Sequence, residues 1–383
     1  MSAQASAPLS GRQRLMTVLR GGTPDRIPFV PLVNEFFWAT LSPECGVDDV
    51  VSCCRCIGAD IAERWVPSYL GYGLEFGSLD DSQSPGSPRR REERSEDEIL
   101  VRFETPVGTL TQRQRRTDQA GSTWYKEEHL VKSGADLRAY QYLWDAVEPQ
   151  AAYHLTQERI DAIGDEGLAL VRTPCTPILH LIMYDLGLER LAYLMADHRK
   201  EMHHLLDTMA DKVLAATAIA AASPAEVGII PENSGTRLVS PRQFDTYCAP
   251  IMSEMVRRFH ERGKILLLHA CGHLRDLLPA IEATGLDGIE SLTPPPTGNV
   301  PLAMAREVMG PKRTLMGGLD PVWFAQATAE QVEERVSEIV GQVGDGRGFM
   351  LMPADSTPAN VPMANFGAVN RVLSRHARAS ADQ

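Results

Sequence analysis

Apolar residues follow two different rhythms along this chain, and the rhythm changes over twice. At 12–20 they recur at helical spacing until Gly21-Gly22 stops the run, which predicts a short helix. A turn at 23–28 leads to an apolar strand at 27–33, a helix at 47–57 and a short strand or bend at 60–65. The stretch 78–97 is polar, charged and rich in Ser and Pro, and reads as an exposed loop. Period-two alternation then takes over at 100–116, around a Pro106-Val107-Gly108 turn, and resumes at 122–131. That block predicts an antiparallel β-hairpin excursion rather than a separate domain.

From residue 135 onward, short apolar runs alternate with amphipathic stretches. Strands are expected at 168–172, 226–231, 265–268, 286–290, 314–319 and 349–352. Helices are expected at 178–184, 188–195, 198–222, 240–263, 274–284, 300–309, 328–343 and 363–376, with Ser240-Pro241 opening the fourth as N-cap and first helical residue. Strand–helix alternation means parallel strands covered by helices. With the early strands near 27–33 and 60, about eight emerge, which predicts an α/β fold of the (β/α)8 barrel type. An open dinucleotide-binding sheet would carry a Gly-rich phosphate loop, and neither G-x-G-x-x-G nor a Walker A motif is present. The expected layout is a disordered N-terminus at 1–11, one barrel at 12–376 and a tail at 377–383.

Composition narrows the partners. The chain has 383 residues, 43% of them hydrophobic, enough for a large core, and a formal net charge of −12 that argues against a nucleic-acid binder. No apolar run reaches the ~20 residues that span a membrane, and the first residues lack the apolar core of a signal peptide, so a cytoplasmic enzyme is expected. Seven cysteines do not read as a disulfide framework. Cys53, Cys54 and Cys56 cluster, but no second pair stands at finger spacing, so they read as positions on an amphipathic helix.

In a barrel of this kind the chemistry lies at the C-terminal ends of the strands. Those ends carry Asn34 and Glu35; Arg172 and Cys175; Glu232 and Asn233; His269 and Cys271; Glu290; Asp320; and Asp355. His269 and Cys271 close the run from Lys264 to Gly272 two residues apart, a spacing that puts both side chains on one face of a strand. Imidazole and thiolate together suit zinc, which in catalytic sites takes about three protein ligands and one exchangeable position. Glu290 and Asp355 are the candidates to complete the set. A substrate thiol in the exchangeable position would favour its thiolate, a good nucleophile toward an activated methyl group. Glu232 and Asn233 are candidates for orienting substrate or moving a proton. Asn34, Glu35, Arg172, Arg237 and Asp320 are candidates for substrate contact.

Several motifs together resemble the uroporphyrinogen decarboxylase superfamily. They are 14–28 with Arg-Gly-Gly-Thr-Pro-Asp-Arg-Ile-Pro at its end, the hairpin at 105–109, Leu268-His-Ala-Cys-Gly272, Thr293-Pro-Pro-Pro-Thr-Gly298, Gly317-Gly-Leu-Asp320 and the ending at 358–365. The resemblance covers about 12–376 and implies a (β/α)8 barrel. One branch decarboxylates, holding pyrroles with an Arg-rich motif after the first strand and an Asp. That motif is absent, the segment being Leu32-Val-Asn-Glu-Phe-Phe-Trp38; Asp60 matches the Asp, and Arg64, Arg172 and Arg237 are the arginines near the mouth. The other branch comprises zinc methyltransferases that act with methylcobalamin or corrinoid proteins, whose His-x-Cys maps onto His269 and Cys271. They use a later Cys where this chain has Asp355. The resemblance therefore implies a methyltransferase with Zn(2+) and a corrinoid, acting on a small-molecule substrate. A corrinoid protein is a candidate partner and a homodimer a candidate assembly. A metal-independent decarboxylase and a non-catalytic corrinoid- or tetrapyrrole-binding barrel remain as alternatives.

Overall fold

The computed structural model describes residues 8–41, 45–71, 88–116 and 124–381. Its strands are β1 (Ile61–Val66), β2 (Tyr69–Leu70), β3 (Arg89–Arg94), β4 (Glu98–Thr105), β5 (Gly108–Arg116), β6 (Trp124–Glu128), β7 (Gln150–Ala151), β8 (Gly167–Arg172), β9 (Val227–Pro231), β10 (Ile265–His269), β11 (Gly288–Leu292), β12 (Thr314–Leu319) and β13 (Phe349–Pro353). Seven of them form one parallel sheet in the order β1-β8-β9-β10-β11-β12-β13. The extended segment 28–32 supplies the eighth stave. Val30 N donates to Leu351 O and Leu351 N to Pro28 O on one side, and Asp60 N donates to Phe29 O on the other. The expected strand at 27–33 is thus reduced to isolated bridges, Phe29 to Leu351 and Leu32 to Ser356, that close the barrel.

Alternation along each stave separates two apolar layers. Val30, Ala62, Leu168, Leu170, Val227, Ile229, Leu267, Met316, Met350 and Met352 pack inside the barrel. The intervening Ile61, Val171, Ile230, Leu266, Leu268, Ile289, Leu315 and Leu351 face the outer helices. The helix Gly11–Leu19 packs Leu15, Met16, Val18 and Leu19 against the inner layer and plugs the bottom. Ser10 caps that helix in a reciprocal box with Gln13, so defined structure begins inside the stretch expected to be disordered, while residues 1–7 lie outside the described residues.

The bottom is locked by charge. Asp60 is 4% exposed and accepts from Arg14 Nη1 at 2.8 Å, from Arg26 Nη1 and Nη2 at 2.7 and 2.8 Å, and from Phe29 N at 3.0 Å. Two guanidinium groups and a backbone N–H satisfy the carboxylate, which is what lets a charge sit in the interior.

The excursion is larger than a hairpin. It is an antiparallel sheet in the order β3-β4-β5-β6, whose β4–β5 turn falls at the expected Pro106-Val107. Strand β3 occupies part of the segment read as a loop. Its residues Arg-Arg-Arg-Glu-Glu-Arg are exposed or half-buried and pair with β4 through the backbone, so no apolar alternation marks it; positions 78–87 lie outside the described residues. Two helices expected to be continuous are interrupted. Pro177–His180 runs into a π-turn at Leu181–Asp185, and Pro241–Gln243 into one at Phe244–Cys248 before Ala249–His260. Helices Leu137–Asp145 and Tyr153–Ile163 were not expected. Among the described residues no helix is long and apolar enough to cross a membrane.

Candidate functional site

The outward or inward parity of each stave decides which rim residues can meet. On β10, Leu267 faces the barrel interior, so His269 does too. The strand ends there, and Cys271 lies just beyond it, on a loop held against its neighbours. Glu232 N and Asn233 N donate to His269 O at 3.1 Å, Ala270 N donates to Glu290 O at 3.1 Å, and Thr236 N donates to His273 O at 2.9 Å. The loop brings the Cys271 thiol back to the imidazole. One donor atom from each of His269, Cys271 and Asp355 lies within 4.8 Å of the others, and this is the one such group of three found among the described residues. His269 is buried, whereas the Asp355 side chain is 47% exposed with Oδ1 at 3.9 Å from His269 Nε2. Tetrahedral zinc needs ligand atoms about 3.4–3.5 Å apart, from bond lengths of roughly 2.0–2.3 Å. The three donors are therefore somewhat more widely spaced than a bound ion would hold them, and the half-buried Asp355 carboxylate is the one with the most solvent exposure.

Glu290 takes a different place from the one expected. It is 0% exposed, faces inward on β11 and meets His269 at Nδ1, leaving Nε2 turned toward Asp355. It stands outside the group of three, behind the imidazole rather than beside Cys271. Arg64 holds its other oxygen, Nε to Oε1 at 3.1 Å. Arg64 in turn donates to the carbonyls of Val30 at 2.8 Å, Pro31 at 3.2 Å and Ala62 at 2.8 Å. A buried cation thus ties two staves, the segment 28–32 and β1, to the carboxylate on a third, β11. Burial disfavours the charged imidazole, but the Glu290 carboxylate, with Cys271 and Asp355, outweighs it and raises His269 to about 10. Burial likewise opposes Glu290 ionisation, and His269 followed by Arg64 overcomes it, holding the carboxyl at about 2.

Backbone strain gathers at the same rim. The non-glycine residues with positive φ among the described residues are Trp65 (65°), Asn233 (47°), Ser291 (68°) and Asp355 (68°), all at or just beyond strand ends. Register breaks in β1, between Glu63 and Val66, and in β11, between Ile289 and Leu292, accompany two of them. The breaks re-aim side chains. The Trp65 ring meets the His269 ring edge-on, with centroids 5.2 Å apart. Ser291 Oγ donates to Glu290 Oε2 at 3.1 Å, lies 3.2 Å from His269 Nδ1 and accepts from Asp355 N at 2.9 Å. Asn233 Oδ1 accepts from the Cys271 thiol at 3.4 Å. Trp65 and Ser291 are site residues that sequence reasoning missed.

The other rim candidates disperse. Asp60 lies at the start of β1, the end of the barrel opposite the rim, sealed by Arg14 and Arg26, so it cannot serve the mouth as the decarboxylase match requires. Asn34 caps the helix Glu35–Trp38, accepting from Phe37 N at 3.1 Å, and Glu35 is exposed in its first turn. Asp320 caps Pro321–Gln326 and also accepts from Thr297 N at 3.2 Å. Both side chains are engaged by backbone N–H groups rather than turned to a ligand. Arg172 is half-buried at the end of β8, with the inward parity of Leu168 and Leu170, and Arg237 is exposed.

Glu232 departs most in orientation. It shares the parity of Ile230, which faces the helices, and its carboxylate is 0% exposed. It accepts from Thr176 N at 2.7 Å, Thr176 Oγ1 at 2.5 Å and Ser234 Oγ at 3.1 Å, away from Cys271. Burial raises it to about 7, against those hydrogen bonds. An acid whose folded pKa is raised contributes stability that is present below its unfolded value, near 4.5, and lost as pH rises through 7. Urea titrations should show wild type losing stability relative to Glu232→Gln between about pH 4.5 and 7. Parallel curves for the two proteins would contradict the assignment.

Residues 169–376 match the family described as Uroporphyrinogen decarboxylase (URO-D). Among solved structures, a methyltransferase from Methanosarcina mazei superposes with a TM-score of 0.60 at 13% identity, over 96% of this chain and 99% of that one. A D-psicose 3-epimerase with D-tagatose from Clostridium cellulolyticum H10 matches with a TM-score of 0.33 at 11% identity, over 60% of this chain and 82% of that one, too distant to inform the site. No curated protein sequence matches.

Proposed function

The chain belongs to the uroporphyrinogen decarboxylase family, and within it we propose a zinc-dependent methyltransferase that moves a methyl group between a corrinoid or similar donor and a thiol-type acceptor. The observation that carries this reading is the convergence of His269, Cys271 and Asp355 at the barrel mouth. Three protein donors is the ligand count of a catalytic zinc site, which leaves a fourth position to an exchangeable ligand. The backing carboxylate on Nδ1 is the partner a metal-bound histidine ordinarily has, since it fixes the ring and its tautomer. His269 Nε2, Cys271 Sγ and an Asp355 oxygen would hold the ion; when bound, its charge favours the thiolate form of an acceptor at neutral pH.

The chain's own residues do the rest. Glu290, pinned by Arg64 and Ser291, keeps the imidazole aimed at Asp355. Asn233 accepts from the Cys271 thiol and sets its rotamer. Trp65 walls one side of the imidazole against water. The fold shared with the Methanosarcina mazei methyltransferase over nearly both whole chains is consistent with this chemistry. We extend the reading to a corrinoid-carrying protein docking at the mouth, a homodimeric assembly and a cytoplasmic setting. The metal-independent decarboxylase alternative loses its acid, because Asp60 is sealed at the other end of the barrel.

The test is turnover. Protein purified without chelators is mixed with methylcobalamin and a small thiol, and loss of the methyl–cobalt bond is followed by absorbance. Zinc-dependent demethylation supports the reading. Metal-free decarboxylation of a carboxylated tetrapyrrole, or corrinoid binding without turnover, would overturn it. Asp355→Cys should retain zinc and bind it more tightly in a competition with a chromogenic chelator, because thiolate is the softer ligand.

A further inference from the structure

A cavity of about 550 Å³ lies between one face of the β3-β6 sheet and the π-turn Leu181–Asp185. Strand parity builds its apolar wall. Ile99, Val101 and Phe103 alternate on β4 and point to the same side, each buried. Register sets the charge beside them. Arg94 on β3 pairs with Ile99, Glu92 with Val101 and Arg90 with Phe103, so both arginines and the glutamate share that face. Two rings complete the lining. The Arg94 guanidinium stands 6.0 Å from the Trp124 ring on β6, and Lys126 Nζ stands 5.1 Å from the Tyr184 ring on the π-turn.

The charges around this cavity do not balance. Arg90, Arg94 and Lys126 line it against two carboxylates, Glu92 and Asp185. Asp185 is already engaged, accepting from Tyr140 Oη at 2.5 Å and lying 3.0 Å from His180 Nε2. Glu92 serves both arginines, with Arg90 Nη2 at 2.5 Å and Arg94 Nη2 at 3.3 Å. Arg90 Nε is buried and has no hydrogen-bond partner among the described residues. A buried donor left unpaired is costly, and more so on a charged group. One excess positive charge and one orphaned guanidinium N–H, set against an apolar wall, call for an anion that also carries apolar surface.

We propose that this cavity binds a small monoanion, a carboxylate on a compact apolar body. The carboxylate accepts from Arg90 Nε, a planar donor group suited to it. The body covers Ile99, Val101 and Phe103. The volume falls in the range of small-molecule sites, roughly 300–1,000 Å³. The lining shares no residue with His269, Cys271 and Asp355, so the outcome is independent of the zinc reading.

Isothermal titration of the whole protein with 1-naphthoate, its neutral analogue 1-naphthamide and inorganic phosphate tests this. Naphthoate should bind once per chain with a dissociation constant below about 1 mM. Naphthamide and phosphate should each bind more than about 10-fold more weakly, one lacking the charge and the other the apolar body. Arg90→Gln should weaken naphthoate by a similar factor and leave naphthamide unchanged. Arg94→Gln, whose parent side chain is 62% exposed and outside the core, should weaken naphthoate too and decides the matter should Arg90→Gln not fold. No saturable naphthoate binding would overturn the proposal, as would naphthamide or phosphate binding equally well. Naphthoate affinity unchanged in the folded arginine variant would also overturn it, because the ligand would then sit elsewhere.

Discussion

Cys271→Ala should fold normally, purify without zinc and demethylate methylcobalamin with a thiol more than about 100-fold more slowly than wild type. The magnitude follows from position: even partners one bond removed from a metal cost about 10–100-fold when lost, and Cys271 is a donor itself. The side chain is half-buried on a loop beyond β10, in contact with Asn233 and His269 rather than with the apolar core, so its truncation leaves packing intact. Atomic emission gives metal per chain and absorbance gives the rate; the two losses should appear together. Zinc retained at wild-type occupancy would exclude Cys271 from the ligand set.

The second large effect is on stability. Arg64→Met should lower the unfolding free energy by about 3–5 kcal/mol, the usual consequence of removing one partner of a buried ion pair. Its guanidinium is almost wholly enclosed. Its loss strands Glu290 without a cation on Oε1 and leaves the carbonyls of Val30, Pro31 and Ala62 short of a donor. Urea unfolding of the metal-free protein measures this. Glu290→Gln in the Arg64→Met background should recover part of the loss, because a neutral amide is less costly to bury than an unpaired charge. A single-variant effect under about 1 kcal/mol would show that Arg64 does not organise the mouth.

Much of the barrel could be read from the chain because its staves are apolar on both faces. Runs such as Leu168-Ala-Leu-Val and Ile265-Leu-Leu-Leu are continuous, and β8 to β13 fall within a few residues of the expected strands. Strand β3 was invisible because its pairing is carried by backbone while its side chains face water. The helix Leu137–Asp145 does carry a local signal, with Leu137, Tyr140 and Trp144 at helical spacing on its buried face.

At the mouth, strand-end logic brought out His269, Cys271 and Asp355, which the structure gathers. It could not tell that Glu290 would meet the other imidazole nitrogen, since both positions face the same interior. Trp65 and Ser291 owe their placement to register breaks and left-handed backbone, which depend on neighbouring strands and leave no local signal. Asn34 and Asp320 carried a readable alternative. Asp320-Pro321 is an N-cap followed by proline at the first helical position, and capping is what the structure shows.

The central claim is that His269, Cys271 and Asp355 together hold zinc at the barrel mouth. Zinc X-ray absorption on protein purified without chelators tests it most directly, because it counts sulfur in the coordination shell. The account predicts one sulfur at about 2.3 Å among nitrogen and oxygen neighbours at about 2.0–2.2 Å, with the sulfur signal doubled in Asp355→Cys. Protein that carries no zinc and takes none up, or a shell without sulfur, would contradict it.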